Sequence, residues 1–188
     1  MRIIAGTARG RRVEAPPGRD TRPTLDRVRE NLFNILQNRV REARVLDLFA
    51  GSGALSLEAL SRGAAFAVLG DRDRKAHLTE KKNIEVLGFQ EKTRVMLGDW
   101  RQTVNALGAE GTVFDLIFLD PPYEMTDLRE ITEALLPLMA EDARVIIEHE
   151  AKQEIRAADG LERVDERRWG YCGVGIYRLA DAKGGTDL

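Results

Sequence analysis

The run Asp120-Pro121-Pro122-Tyr123 joins an acid, two prolines and an aromatic ring directly behind the apolar segment 114–119. That segment reads as a buried strand, which places the four residues at its C-terminal edge. Prolines carry no N–H donor and restrict the neighbouring backbone. The corner therefore presents acceptors, a carboxylate and a main-chain carbonyl, beside a flat ring. Such a rigid cup suits a planar molecule bearing an NH2 group, the chemistry of a nucleobase amine. Asp120, Pro121, Pro122 and Tyr123 are the candidate catalytic residues.

A second constellation lies upstream. Val45-Leu46-Asp47-Leu48-Phe49-Ala50-Gly51-Ser52-Gly53 reads as a strand entering a glycine turn and then a helix. In open α/β sheets this corner, at the carboxyl ends of the strands, is where ligands bind. Gly51 and Gly53 let the backbone approach a ligand closely. A dinucleotide fingerprint asks for a third glycine where Ser56 stands. Asp47, with Phe49 beside it, instead suits a ligand with a cationic amino group. The next strand ends in Gly70-Asp71-Arg72-Asp73, and an acid there can accept both hydroxyls of a ribose. Arg72 belongs to the same end of the site, and Asp73 reads as a helix N-cap. The third strand ends in Gly98-Asp99-Trp100, where Asp99 can accept from an adenine amine with Trp100 near the ring. By itself Gly98-Asp99 would read as a turn and an N-cap. Taken together, acids mark the ends of four strands: Asp47, Asp71, Asp99 and Asp120. One ligand carrying an amine, a ribose and an adenine fits them, and that ligand is S-adenosylmethionine.

The elements that must position these groups follow from periodicity. Ile3-Ile4 and 12–15 flank a turn with Gly6 and Gly10, which predicts a small N-terminal hairpin. Thr24 is the expected N-cap of a helix in which Leu25, Val28, Leu32, Ile35 and Leu36 recur at helical spacing. Strands are expected at 44–49, 65–69, 93–97, 113–119 and 144–148. Helices are expected at 54–62, 75–87, 100–107 and 127–139. Gly88 is the expected C-terminal stop of the second of these. This alternation predicts an α/β fold, a mainly parallel sheet with helices on both faces. Segments 161–168 and 173–179 flank Gly170 without a helix and read as a terminal antiparallel hairpin. The expected organisation is a basic arm over 1–23, one domain over 24–180 and a disordered tail over 181–188.

Composition bounds the function. The chain has 188 residues, enough for one domain with a real core, and no apolar run approaches the length of a bilayer span. A single cysteine, Cys172, excludes an internal disulfide framework and a cysteine-rich zinc site. His77 and His149 are isolated, so no metal is expected. A cytoplasmic location is expected. The net charge of −2 conceals an asymmetry: residues 1–44 hold 11 arginines against 5 acids, a local +6 that leaves −8 for the rest. Arginine favours bidentate contacts with phosphate, so this segment reads as a nucleic-acid-binding arm. Arg2, Arg9, Arg11, Arg12, Arg22, Arg27 and Arg29 are the candidate RNA contacts.

The motifs Asp47–Gly53 and Asp120–Tyr123 together resemble class I S-adenosylmethionine-dependent amino-methyltransferases. Arg2-Ile3-Ile4-Ala5-Gly6, Arg9-Gly10-Arg11-Arg12, Thr21-Arg22-Pro23-Thr24, Asp26-Arg27-Val28-Arg29-Glu30 and Leu32-Phe33-Asn34-Ile35-Leu36 are similar to the RsmD family in particular. The resemblance runs over residues 1–179. It implies a Rossmann-like seven-stranded sheet and methylation of the exocyclic N2 of a guanine in 16S ribosomal RNA. The partner it implies is that RNA within a 30S particle or an assembly intermediate, met by a monomer. It also implies that Thr24 and Arg27 lie near the cofactor. Two departures stand out: Gly70 precedes Asp71, where the family carries a bulkier residue and usually Glu, and Trp169-Gly170 replaces Tyr-Gly. The tetrapeptide alone serves adenine N6 or cytosine N4 of DNA equally well. A non-catalytic RNA-binding assembly factor is the alternative from another class.

Overall fold

A computed structural model of the protein describes residues 1–17 and 23–181, with the backbone alone for 23–25. The expectations for Arg22 and for residues 182–188 lie outside the described residues, as does that for the side chain of Thr24.

Seven strands form one sheet: β1 (Arg44–Leu48), β2 (Phe66–Asp71), β3 (Thr93–Leu97), β4 (Phe114–Leu119), β5 (Met139–Glu150), β6 (Leu161–Trp169) and β7 (Cys172–Leu179). Their order is β3-β2-β1-β4-β5-β7-β6. The first five are parallel, and β7 pairs antiparallel with both β5 and β6. The expected Rossmann-like sheet with its terminal hairpin is therefore present. The strand order reverses between β1 and β4, which opens a crevice beyond their carboxyl ends.

Among the described residues five α-helices cover the faces: α1 (Pro23–Leu36), α2 (Ala54–Ser61), α3 (Arg74–Leu87), α4 (Trp100–Ala109) and α5 (Arg129–Leu135). Residues one apart on a strand point to opposite faces. Val45, Leu69, Leu116, Phe118 and Ile146 accordingly pack under Val28, Leu32, Leu57 and Ile84 of the first three helices. Leu46, Val68, Ile117, Val145 and Ile147 pack under Val104, Leu107, Ile131 and Leu135 of α4 and α5.

Boundaries differ from the periodicity where local chemistry intervenes. α1 includes Pro23 and Thr24, so Thr24 is inside the helix rather than its cap. The helix expected to reach Met139 stops at Leu135 and tightens to a 3-10 turn over Leu136–Leu138, because Pro137 cannot donate to the helical ladder. β5 runs from Met139 to Glu150, longer than expected, since β4 and β7 both pair with it. Gly88 ends α3 at φ +78°, as its type predicts.

The N-terminal hairpin forms through Ile3 N–H to Arg11 O (2.9 Å), Gly10 N–H to Ile3 O (2.8 Å) and Val13 N–H to Met1 O (3.0 Å). It is stitched onto α2. The buried carboxylate of Glu58 accepts Ile4 N–H at 2.8 Å, Ala5 N–H at 3.0 Å and the Arg62 guanidinium at 2.7 Å. Ser61 adds bonds to Ala8 N–H and Ala5 O. Ile3, Ala8 and Val13 are buried in the same core as α1 to α3.

Candidate active site

The crevice holds one cleft in two lobes. The smaller, about 170 Å³, lies between α1, Asp47 and the glycine turn. The larger, about 750 Å³, is bounded by Gly70–Asp73, Gly98–Arg101, Asp120–Tyr123, Met125 and Tyr171. Phe49, Asp120 and Glu148 line both lobes and mark their junction.

Strand register explains the clustering of acids. Leu48 pairs with Gly70, Asp71 with Leu97, and Leu119 with Ile147. The side chains of Asp47, Asp71, Asp120 and Glu148 fall on the sheet face that α1 to α3 cover, whereas Asp99, two residues past β3, caps α4 on the other face. Each differs in what it already holds. Asp47 is buried and accepts from the Ser56 hydroxyl at 3.0 Å and from Ser56 N–H at 3.3 Å. Ser56, which breaks the dinucleotide pattern, is thus the residue that anchors Asp47. Burial, more than the nearby charges of Asp120 and Asp71, pushes the Asp47 carboxyl up to about 7, against the two Ser56 hydrogen bonds.

Asp71 accepts Gly51 N–H at 2.9 Å and Asp73 N–H at 2.9 Å, locking the glycine turn to the end of β2. A carboxylate offers about four acceptor sites, so two remain for a ligand. Gly51 and Gly53 adopt φ of +60° and +75°. A Cβ on Gly53 would lie 2.7 Å from Leu69 Cδ2. Phe49 itself sits at φ +65°, a left-handed conformation costing roughly 1–3 kcal/mol in a non-glycine residue. Strain of this kind is retained where the surrounding structure fixes it, here between the strand end and the turn that face both lobes.

Asp73 caps α3 through Lys75 N–H, as expected. Asp99 caps α4 through Arg101 N–H in a capping box with Gln102, and it borders the larger lobe. Trp100 follows it, with the Arg101 guanidinium 4.3 Å from its ring centroid. Arg72 is exposed at the rim of the same lobe. In the tetrapeptide Pro121 is buried and Pro122 O accepts Met125 N–H at 2.8 Å. Tyr123 is half-buried, and its main-chain oxygen accepts from Gln153 at 3.0 Å. Burial, then the charge of Glu148, pushes its phenol far up, so the ring stays neutral.

The arginine expectations divide. Arg2, Arg9, Arg11, Arg12 and Arg27 are exposed. Two of them also hold backbone, Arg2 through Gly10 O and Arg11 through Val86 O and Leu87 O at the end of α3. Arg29 requires correction as a phosphate contact. It is 5% exposed, ion-pairs with Asp26 at 3.1 Å and Glu58 at 3.7 Å, donates to Arg2 O, and lines the smaller lobe. Its spacing on α1 points it inward with Val28 and Leu32, which charge alone conceals.

Sequence reasoning missed Glu148, Tyr171 and Glu80. Glu148 ends the strand expected at 144–148 and follows Ile147, the last residue of β5 paired with β4, so the strand-end rule that found the other acids would have found it. Tyr171 enters the larger lobe from the β6–β7 turn, where Gly170 adopts φ +65°. Glu80 is fully buried on α3 with no hydrogen-bond partner for either carboxylate oxygen. Among the described residues no helix is long and apolar enough to cross a membrane.

The sequence family described as conserved hypothetical protein 95 matches residues 1–178. Ribosomal RNA small subunit methyltransferase D of Escherichia coli (strain K12) is 40% identical over 191 aligned positions, covering 100% of this chain and 93% of its own. The solved YhhF structure from Escherichia coli superposes with a TM-score of 0.79 at 35% identity, covering 95% of this chain and 97% of that one. A hypothetical protein from Thermus thermophilus, TTHA0928, gives 0.81 at 30% identity over 95% and 99% of the two chains. The fold is shared at 16% identity by SMU.776, solved in complex with SAH, with a TM-score of 0.69 over 85% of this chain and 50% of that one. With the glycine turn, the strand-end acids and the Asp-Pro-Pro-Tyr corner all in one cleft, the chain belongs to the RsmD family of S-adenosylmethionine-dependent methyltransferases.

Proposed function

We propose that this protein methylates ribosomal RNA, transferring the methyl group of S-adenosylmethionine to the exocyclic N2 of a guanine in 16S rRNA. The observation that carries this reading is the position of Asp120 at the junction of the two lobes, beside Tyr123. A relative 40% identical to the chain bears the name ribosomal RNA small subunit methyltransferase D.

The donor set suits the cofactor. Asp71 retains acceptor sites for ribose hydroxyls, Asp99 and Trp100 border the space for an adenine, and Asp47 with Gly51 faces the amino-acid end, while Gly53 lines neither lobe and packs against Leu69 instead. Arg29, a cation lining the smaller lobe, suits a carboxylate there. When bound, the cofactor supplies an electrophilic methyl group on a sulfonium.

The protein's own task is to make a poor nucleophile attack. The N2 lone pair of guanine is delocalised into the ring. Accepting an N2–H at the Asp120 carboxylate, with the Pro121 carbonyl as a second acceptor, holds the amine and localises that lone pair. With the methyl group supplied by bound S-adenosylmethionine, the Asp120 carboxylate or water would take the N2 proton released on transfer. Tyr123 stacks on the flipped base, a contact worth roughly 1–3 kcal/mol. Most of the acceleration comes from positioning. Residues 1–23 act as the RNA-binding arm on a methyltransferase domain over 24–180. Its exposed Arg2, Arg9, Arg11 and Arg12, with Arg27 on α1, set the orientation of the RNA rather than its sequence.

The test is transfer of radiolabelled methyl from S-adenosylmethionine to small-subunit rRNA, with the modified nucleoside identified. N2-methylguanosine is expected; N6-methyladenosine, or no transfer, refutes the reading. Asp120→Ala is expected to lower transfer by about 10²–10³-fold while cofactor binding persists, the scale seen when a preorganised polar group is removed from a reacting centre. Near-full transfer by that variant sinks the role given to Asp120.

A further inference from the structure

Glu148 is the acid in the cleft that the reaction above leaves without a task. It follows Ile147, the last residue of β5 to pair with β4, and is itself paired with Val174 of β7. Because Leu119 pairs with Ile147, the next residues along, Asp120 and Glu148, are neighbours across the strand ends and share a face. Adjacent strands lie about 4.8 Å apart, so the two carboxyl groups rise side by side from one edge of the cleft. Both line both lobes.

The surroundings of Glu148 are confined. Asp120 lies beside it just beyond β4, Tyr123 on the loop that follows, and Cys172 on β7. Asp47 and Arg29 stand across the smaller lobe. Burial first, and the Asp120 charge second, push its carboxyl above the usual range. A ligand that donates to both carboxyl groups is favoured at such a pair.

Guanine supplies them. Its N1–H and N2–H2 point the same way along one edge of the ring, so two acceptors one strand spacing apart can take one donor each. Adenine and cytosine present their amine beside a bare ring nitrogen, which has no proton to give to a second acceptor. We propose that Glu148 accepts the N1–H of the target base while Asp120 accepts the N2 amine, so that the pair selects guanine. This inference rests on the guanine-N2 reading given above.

The probe is small-subunit rRNA carrying either guanosine or 2-aminopurine riboside at the methylated position. The second base keeps the amine and has a bare N1 lone pair. The wild-type protein is expected to favour guanosine in kcat/KM by about tenfold or more, the scale of one specific hydrogen-bonding pair. Glu148→Gln, whose amide can donate as well as accept, is expected to bring the ratio within about threefold. A second readout needs no turnover. With S-adenosylhomocysteine present, titration of the 2-aminopurine RNA by its own fluorescence is expected to show tighter binding to Glu148→Gln than to wild type. Equal rates of the wild type on the two RNAs overturn the inference without any variant. So does a ratio in Glu148→Gln that matches wild type while cofactor affinity is unchanged. If the wild type makes no N2-methylguanosine on the guanosine RNA, the parent reading fails, and the inference with it.

Discussion

Replacing Glu80 by leucine is expected to stabilise the protein, by an amount that grows with pH. Glu80 lies on α3 one turn before Asn83, which itself bonds Ser52 O and Glu14 O behind the glycine turn. It is fully buried, and neither carboxylate oxygen has a hydrogen-bond partner. Burial, then the charges of Asp71 and Asp47, push its carboxyl from 4.5 to about 8. Over that interval the folded protein keeps a proton that the unfolded chain releases. The unfolded state therefore binds fewer protons, and stability falls as pH rises from 4.5 towards 8. At about 1.36 kcal/mol per pH unit, the loss reaches roughly 3 kcal/mol at pH 7. Leucine is of similar size and carries no charge, so it recovers that amount. For a chain of this length the gain corresponds to roughly 6–12 °C in Tm. Thermal or urea denaturation of the wild type and Glu80→Leu at pH 5, 7 and 8.5 measures it. The gap should be small at pH 5 and widest at pH 8.5. Glu80→Gln should flatten the pH dependence while leaving a buried amide without a partner, and so should fall between the two. Asp47, also held up to about 7, leaves some slope in every variant. A Glu80→Leu protein no more stable than wild type at pH 7, or a gap that ignores pH, refutes the reasoning.

Two other predictions concern the N-terminal segment. Gly6→Ala puts a Cβ 1.8 Å from Ser61 O at φ +84°, whereas Gly10→Ala, at φ +80°, meets nothing within 4 Å. The first should cost more than about 2 kcal/mol and expose residues 1–17 to proteolysis, while the second should cost roughly 1 kcal/mol; equal denaturation midpoints for the two variants would falsify the docking described. If the exposed arginines bind phosphate, the logarithm of RNA affinity should fall steeply with that of salt concentration. Arg9→Ala with Arg12→Ala should then reduce the slope by roughly 1.5–2, whereas salt-independent binding removes the arm from the interface.

Much of the fold was legible because its signals are local. The apolar runs at Val45–Leu48, Thr93–Leu97 and Phe114–Leu119 became strands within a residue of expectation. Gly88 stopped α3 as its conformational freedom predicts. The misjudged ends have identifiable causes: Pro137 cut α5 short, and pairing on both edges lengthened β5. In the site, Asp71, Asp99 and Asp120 border the larger lobe as their strand-end positions imply. The arginine expectation failed at Arg29, since sequence charge does not say which side of α1 a guanidinium occupies or that a buried Glu58 awaits it.

The sequence by itself determined the alternation of strand and helix, the acids at the strand ends and the rigid acceptor corner, because each depends on residue types a few positions apart. Only the tertiary structure decided which of these groups meet. Strand register set Glu148 beside Asp120, docking of the hairpin onto α2 drew Arg29 inward, and packing of α3 left Glu80 without a partner. Register, docking and burial are contacts between residues distant along the chain, and local periodicity carries no record of them.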